Sequence, residues 1–409
     1  MMSIRVSRIC WLVLCSTAAR GAEPTTGPWR AWVESPGGQL PFRLELERES
    51  NEWQAWIVNG AERIAVPRAG YVGELLVLDI DYYDSKIVAR LDQTGRRFEG
   101  EWRKRGKGGT LTKMPFHATA GWTSRFLPPG HDADAATAAV AGRWSVKFEG
   151  SEDPAVGVFE VDADGVTGTF LTTTGDYRFL AGRFLGGRLQ LSAFDGAHAF
   201  LFSAEAQEDG TLRGDFWSRD SWHETWTARR DAQAGLPDAF TLTRSKPDFN
   251  LNDLVFRDLD GKERSLGDAE FSGKARVIVI FGSWCPNCHD ATNELVELHR
   301  KYRERGLAVV GLAFELTGDF GRDARQVRRY AERHGVDYPI LLAGVADKEK
   351  ASEALPILDR IHAFPTILFV DAGGGIQEVY TGFAGPAAGE THEKLRAQFE
   401  SVIKRLLGE

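Results

Sequence analysis

Cysteine is scarce in this sequence, with four in 409 residues, at positions 10, 15, 285 and 288. A chain of this length can bury a core without covalent staples, so no disulfide framework is expected. Methionine is scarcer still, and only Met114 lies beyond the first two residues. No basic face stands out. The formal net charge of −8 is spread along the chain, which leaves nucleic acid out as a partner. Hydrophobic residues at 43% and charged residues at 26% are ordinary for a globular protein, and the length implies two or three domains.

The first 22 residues differ from the rest. Arg5 and Arg8 precede a short apolar run at 9–14, and small residues follow at Ser16, Thr17, Ala18, Ala19 and Ala22. The run is too short to span a bilayer as a mature helix, so 1–22 is predicted to be a secretory signal, cut after Ala18, Ala19 or Ala22. The expected location is the periplasm or another part of the cell envelope, or the exterior. Cys15 after Leu14 loosely resembles a lipid-attachment site, although Leu14 is bulky for one. Cleavage would remove three arginines, no acid, and both Cys10 and Cys15. The remaining pair, Cys285 and Cys288, closes a loop too small to stabilise much. Its value must be chemical.

Residues 24–232 are rich in glycine, aromatics and alternating patterns, and poor in helical periodicity. Two halves look alike at an offset near 115: Gly27-Pro28-Trp29 with Gly142-Arg143-Trp144, and Gly100-Glu101-Trp102 with Gly214-Asp215-Phe216. The expectation is an all-β tandem-repeat region, with repeats at 24–126 and 142–232 and strands at 42–46, 156–161 and 199–205. Each repeat would be a small antiparallel barrel or sandwich, with Trp29 and Trp144 as core residues. Residues 127–141 read as the linker between them. A second linker is expected at 231–238, which would let the β module fold on its own and dock an unknown partner.

From 240 to 409 the pattern becomes α/β. Residues 276–281 form a continuous apolar run suited to a buried strand. A helix is predicted over 286–305, with Ala291, Leu295, Leu298 and Tyr302 on one face and Gly306 as its stop. Its acids lie early and its bases late, which suits the helix dipole. Strands follow at 307–314, 338–342, 366–370 and 378–381, and helices at 323–334 and around Leu395, Phe399, Val402 and Leu406. The expected fold is an α/β sandwich on a mixed sheet.

Cys285-Pro286-Asn287-Cys288 falls where the buried strand gives way to the helix. Unpaired amides and the dipole at a helix N-terminus favour an anion, so Cys285 is the expected nucleophile. Pro286 sits in the first turn, where its missing N–H costs nothing. Cys288 lies one turn on, within bonding reach, and would resolve a mixed disulfide. No cofactor is then needed beyond the redox-active disulfide itself. Three other readings stay open. A structural bridge this small contributes little. Zinc needs two further ligands that no nearby His or Cys pair supplies, so no metal is expected. Because His289 follows Cys288, the run also has the form of a c-type haem attachment site, which would make the chain an electron carrier. A binding protein dominated by its β module is a further alternative.

Trp284-Cys285-x-x-Cys288 after an apolar strand resembles the thioredoxin superfamily. Lys246-Pro247-Asp248-Phe249, Asp260-Gly261-Lys262 and Phe364-Pro365-Thr366-Ile367 resemble the TlpA/ResA-type disulfide reductases of the bacterial envelope. The resemblance covers about 246–409 and does not reach the β region. It implies a thioredoxin-like fold and exchange with protein thiols or disulfides, in the reductive direction with a membrane electron donor. It also implies a cis bond at Pro365 and a supporting role at the site for Trp284, Pro286, Phe364 and Pro365. The sequence departs from these relatives at two points. Apolar Val279 stands where thioredoxins bury an acid, and Ala291 where several TlpA-type proteins carry Glu. The proton acceptor for Cys288 must then lie elsewhere, with Glu315, His289 and Asp290 as candidates, each otherwise a solvated surface residue. Ile278 and Gly282 stand where peroxiredoxins carry Pro and Thr or Ser, so peroxidase activity is not expected.

Overall fold

A computed structural model describes residues 22–130 and 140–409. The predicted signal, save Ala22, and residues 131–139 of the first linker lie outside the described residues. No described helix is long and apolar enough to cross a membrane.

The first β region is a nine-stranded antiparallel meander between Gly27 and Ala120 in which the first strand, Gly27–Ser35, also pairs with the last, Leu111–Ala120. Alternation explains it: Trp29, Ala31 and Val33 point inward and are fully buried, as are Phe42, Leu44 and Leu46 across the register. The second region has nine strands between Gly142 and Arg230. Its first strand, Gly142–Phe148, pairs with its last, Trp222–Arg230, and the pairing of Ala155–Asp162 with Gly165–Thr172 closes it into a barrel. Phe159, Phe170, Phe202, Phe216 and Trp226 fill the interior. Trp29 and Trp144 are both core residues, and each indole donates to the carbonyl four residues earlier, Thr25 and Val140, at 2.9 Å.

The C-terminal region is a seven-stranded mixed sheet. Ala275–Phe281 lies near its centre, parallel to Leu307–Glu315 and antiparallel to Thr366–Val370. Four α-helices accompany it: α1 (Pro286–Tyr302), α2 (Phe320–His334), α3 (Lys348–Ala354) and α4 (Glu390–Leu407). α1 ends in a 3-10 turn, Arg303–Arg305, at left-handed Gly306, close to the predicted stop. α2 begins three residues earlier than expected because the Asp319 side chain accepts the Arg322 N–H and caps it. α3 and the short strands Val255–Asp258 and Glu263–Ser265 were not expected; they are too short to show a period.

The second linker is not free chain. The Asp231 N–H donates to the Arg143 carbonyl, Arg143 Nε donates to the Ala234 carbonyl at 2.6 Å, and Ala234 packs with Val156, Leu171 and Ala388. Arg183 likewise holds the start of the first linker through the carbonyls of Phe126, Leu127 and Pro128. The β regions are therefore packed against the C-terminal region. Gln326 of α2 donates to the carbonyls of Asp81 and Tyr82, Arg322 pairs with Asp84, and the Gly108 N–H donates to the Leu316 carbonyl at 3.0 Å.

Phe170 is fully buried and stacks on Phe202 at 4.5 Å. Phe170→Ala should lower unfolding free energy by about 3–5 kcal/mol, read from the denaturant midpoint at unchanged slope. A loss within error would mean that the barrel interior is not the tight core described.

Candidate active site

The strand Ala275–Phe281 is apolar apart from Arg276 and buried on both faces, so the chain leaves it at a fixed point. Gly282, Ser283 and Trp284 then turn it into α1, whose N-cap is Cys285. The Cys285 sulfur accepts the Cys288 N–H at 3.3 Å, and its thiol lies 3.5 Å from the Phe364 carbonyl. The free amides of the first turn therefore face this sulfur. Both cysteines are free thiols; Cys285 is 7% exposed and Cys288 fully buried. Burial, then the bond to Cys285, raises the Cys288 thiol well above its usual range. The two sulfurs thus differ in exposure.

Pro286 occupies the first helical position. The Phe364–Pro365 bond is cis, and the Phe364 ring meets Trp284 edge-on at 5.7 Å. The Trp284 indole donates to the Phe314 carbonyl at 2.9 Å, which ties the residue before the dithiol to the adjacent strand. All four supporting residues named from the sequence therefore surround the dithiol.

None of the three proton-acceptor candidates is a solvated surface residue: Glu315 and His289 are buried and Asp290 is half-buried. Glu315 ends the strand Leu307–Glu315 with 1% exposure, and its carboxylate accepts the Ser283 N–H at 2.8 Å and the Ser283 hydroxyl at 2.7 Å. Burial pushes its carboxyl up to about 8, opposed by those two bonds, and its charge is among the groups that raise Cys288. His289 lies between the Ser283 carbonyl, 2.8 Å from Nε2, and His334 Nε2, 2.7 Å from Nδ1. Burial and then His334 lower it well below the usual range, so it is neutral near pH 7. Asp290 pairs with Arg178; burial raises its carboxyl against that pull.

Sequence reading missed what surrounds these groups. The rings of Tyr82 and Tyr83 lie 5.6 and 4.7 Å from His289. Lys104 is buried, donates to the Tyr83 carbonyl at 3.0 Å, and is lowered to about 8 by burial and then Arg219. Arg178 reaches Asp290 from the second β region. Tyr330 of α2 donates to the Cys288 carbonyl at 3.0 Å. Most of these residues stand over a hundred positions from the dithiol, and no local pattern marks them. A cavity of about 1080 Å³ lies apart from the dithiol, beside residues 386–391. Arg125 and Arg183 on its wall already donate to protein carbonyls, and no ligand is assigned to it.

Residues 243–379 match the family model described as AhpC/TSA family. The thiol-disulfide oxidoreductase ResA of Geobacillus thermodenitrificans is 25% identical over 150 residues, 37% of this chain and 74% of that protein. ResA of Halalkalibacterium halodurans is 25% identical over 153 residues, 37% of this chain and 73% of its own. Among solved structures, a thioredoxin-family thiol:disulfide interchange protein from Chlorobium tepidum TLS is 23% identical, covering 40% of this chain and 97% of its own, with a TM-score of 0.30. A secreted thiol-disulfide isomerase from Corynebacterium glutamicum is 16% identical, covering 43% and 98%, with a TM-score of 0.32. All of these leave most of the β region unmatched.

Glu315 should leave a mark on stability. Its folded value near 8 lies above the ordinary 4.5, so the fold prefers it protonated. That contribution is full below about pH 4.5 and is lost as pH rises toward 8. Thermal melts of Glu315→Gln should show a shallower fall across this window, with the residual slope carried by Glu62, which burial raises to about 7. A slope equal to that of the unaltered chain would contradict the buried carboxyl. Residues 243–379, which carry the strand–dithiol–helix junction, thus match the AhpC/TSA family model and are similar to ResA-type thiol-disulfide oxidoreductases.

Proposed function

We propose that the chain is an exported thiol:disulfide reductase that uses Cys285 and Cys288 to exchange with protein disulfides. The observation that carries this reading is the Cys285 sulfur capping α1, with Cys288 one turn inside it and Phe364–Pro365 alongside. The Cys285 thiolate attacks one substrate sulfur; that disulfide breaks and the leaving thiolate takes up a proton. Cys288 gives its proton to the Glu315 carboxylate, in the fraction of molecules where that group is ionised, and attacks Cys285, breaking the mixed disulfide. The substrate's second thiol leaves, and two electrons have passed from the dithiol to the substrate. A carboxylate raised to about 8 is a stronger base than an ordinary one, which suits it to a thiol that burial has also raised. A partner dithiol, expected at the membrane, would reduce the resulting Cys285–Cys288 disulfide.

Export rests on the basic and apolar character of residues 1–22 and on the printed description of one structural relative as secreted. The reductive direction rests on resemblance to ResA-type proteins. The surroundings of His289 favour the dithiol over haem, because both ring nitrogens are bonded within the protein and three tyrosines pack on the ring. We also read the two β regions as a duplication, on the matching Trp29 and Trp144 bonds and on the first-to-last strand pairing in each.

Cys288→Ser should accumulate a mixed disulfide through Cys285 when expressed in an exporting host, and mass spectrometry of the adduct names the substrate. Cys285→Ser should trap far less. Equal trapping by both would undo the assigned roles; trapping by neither, or a covalent haem on the unaltered protein, would undo the enzyme. The proton acceptor is tested separately. Glu315→Gln should slow mixed-disulfide resolution and shift its pH profile, whereas His289→Ala should leave the position of the profile unchanged. An unshifted profile in Glu315→Gln removes it from the mechanism.

A further inference from the structure

Three segments meet at the dithiol: residues 285–288 at the start of α1, residues 362–365, whose Phe364 carbonyl lies 3.5 Å from the Cys285 sulfur, and residues 382–385, whose Gly382 N–H donates to the Pro365 carbonyl at 2.8 Å. One hairpin of the second β region, residues 172–176, touches all three. Asn287 Nδ2 donates to the Asp176 carbonyl at 3.3 Å, between the two cysteines. His362 Nε2 lies 3.1 Å from the Thr173 hydroxyl. The Gly385 N–H donates to the Asp176 carboxylate. The fit is close: a Cβ on Gly382 would lie 2.9 Å from the Thr173 carbonyl oxygen, and a side chain on Gly175 would collide with Asn287 Nδ2. Gly175 also has φ +142°, where side chains are strained. Beneath the hairpin the Asn287 Oδ1 is buried without a hydrogen-bond partner among the described residues.

Arg178 anchors the hairpin. It stands two residues past Asp176 with φ 62°, and its guanidinium pairs with Asp290 of α1, with Glu62 of the first β region at 2.8 Å and with Asp195 at 3.6 Å. With the hairpin in place Cys285 is 7% exposed. A folded surface cannot bring a disulfide within bonding distance of a sulfur enclosed in this way; a narrow one can enter edge-on.

We propose that residues 172–176, held by Arg178, are the specificity-determining wall of the dithiol site, admitting narrow disulfides, in small molecules or extended chain segments, and excluding those on folded protein surfaces. The inference rests on the thiol–disulfide reading for its substrate class; the enclosure itself does not depend on it.

Access and chemistry can be measured separately. In the reduced full chain, iodoacetamide and a maleimide carrying a long polyethylene glycol chain are each timed on Cys285 by mass spectrometry, relative to their rates with free cysteine. The polymer should be slower than iodoacetamide by an order of magnitude or more on that relative scale. Gly175→Val, which props the hairpin outward, and Arg178→Gln, which releases its anchor, should each bring the two relative rates together, with near-UV circular dichroism confirming the fold. Equal relative rates in the unaltered chain overturn the proposal even if neither variant folds. Discrimination that persists in a folded variant also overturns it. Exchange is then timed with glutathione disulfide, an unstructured peptide disulfide and a folded protein disulfide. The first two should react and the third should gain rate in the variants. Equal rates for all three in the unaltered chain remove the wall; no exchange with any of them removes the oxidoreductase reading while leaving the access result intact.

Discussion

The Arg178 guanidinium lies buried among the carboxylates of Glu62, Asp195 and Asp290, one from the first β region, one from the second and one from α1 two residues past the dithiol. A buried cation is tolerable only where its partners are fixed, and removing one partner of such a group costs about 3–5 kcal/mol. The carboxylates do not respond alike. Burial raises Glu62 to about 7 and raises Asp290, while His198 and Arg178 hold Asp195 below the usual range against the same burial. The three regions are thus joined by a charge that none of them could bury alone.

That junction determines what surrounds the sulfurs. Tyr82, Tyr83 and Lys104 arrive from the first β region and residues 172–176 from the second, so the surroundings of the dithiol are largely interior, with Cys285 7% exposed and Cys288 fully buried. Low polarity strengthens every charge there. It accounts for the raised Glu315 and Cys288 and for the lowered Lys104 and His289, four groups moved toward their neutral forms by one cause. Where Val279 supplies no acid, the end of the neighbouring strand places Glu315, whose carboxylate is fixed by the Ser283 N–H and hydroxyl.

Much of this was legible in the linear sequence. The run at 276–281 and the one-face spacing of Ala291, Leu295, Leu298 and Tyr302 belong to elements whose period is local, and they place Cys285 at a strand–helix junction whatever the rest does. Alternating residues likewise located the strands around 42–46, 156–161 and 199–205. Glu315 was reachable as a strand-end acid, but its burial was not, because exposure depends on what packs over it. Residues 231–238 run between the β and α/β regions, but their packing was not legible for a related reason. Gly235 and Pro237 mark a turn, whereas the bonds from Arg143 and the packing of Ala234 come from segments far away.

The sequence by itself determined the chemistry, two thiols one helical turn apart at a helix start after a buried strand, because periodicity and capping act between near neighbours. Only the tertiary structure decided the setting of that chemistry. Arg178, Tyr83 and Lys104 approach the dithiol across more than a hundred residues of chain, and long-range packing of this kind leaves no spacing for a sequence to display.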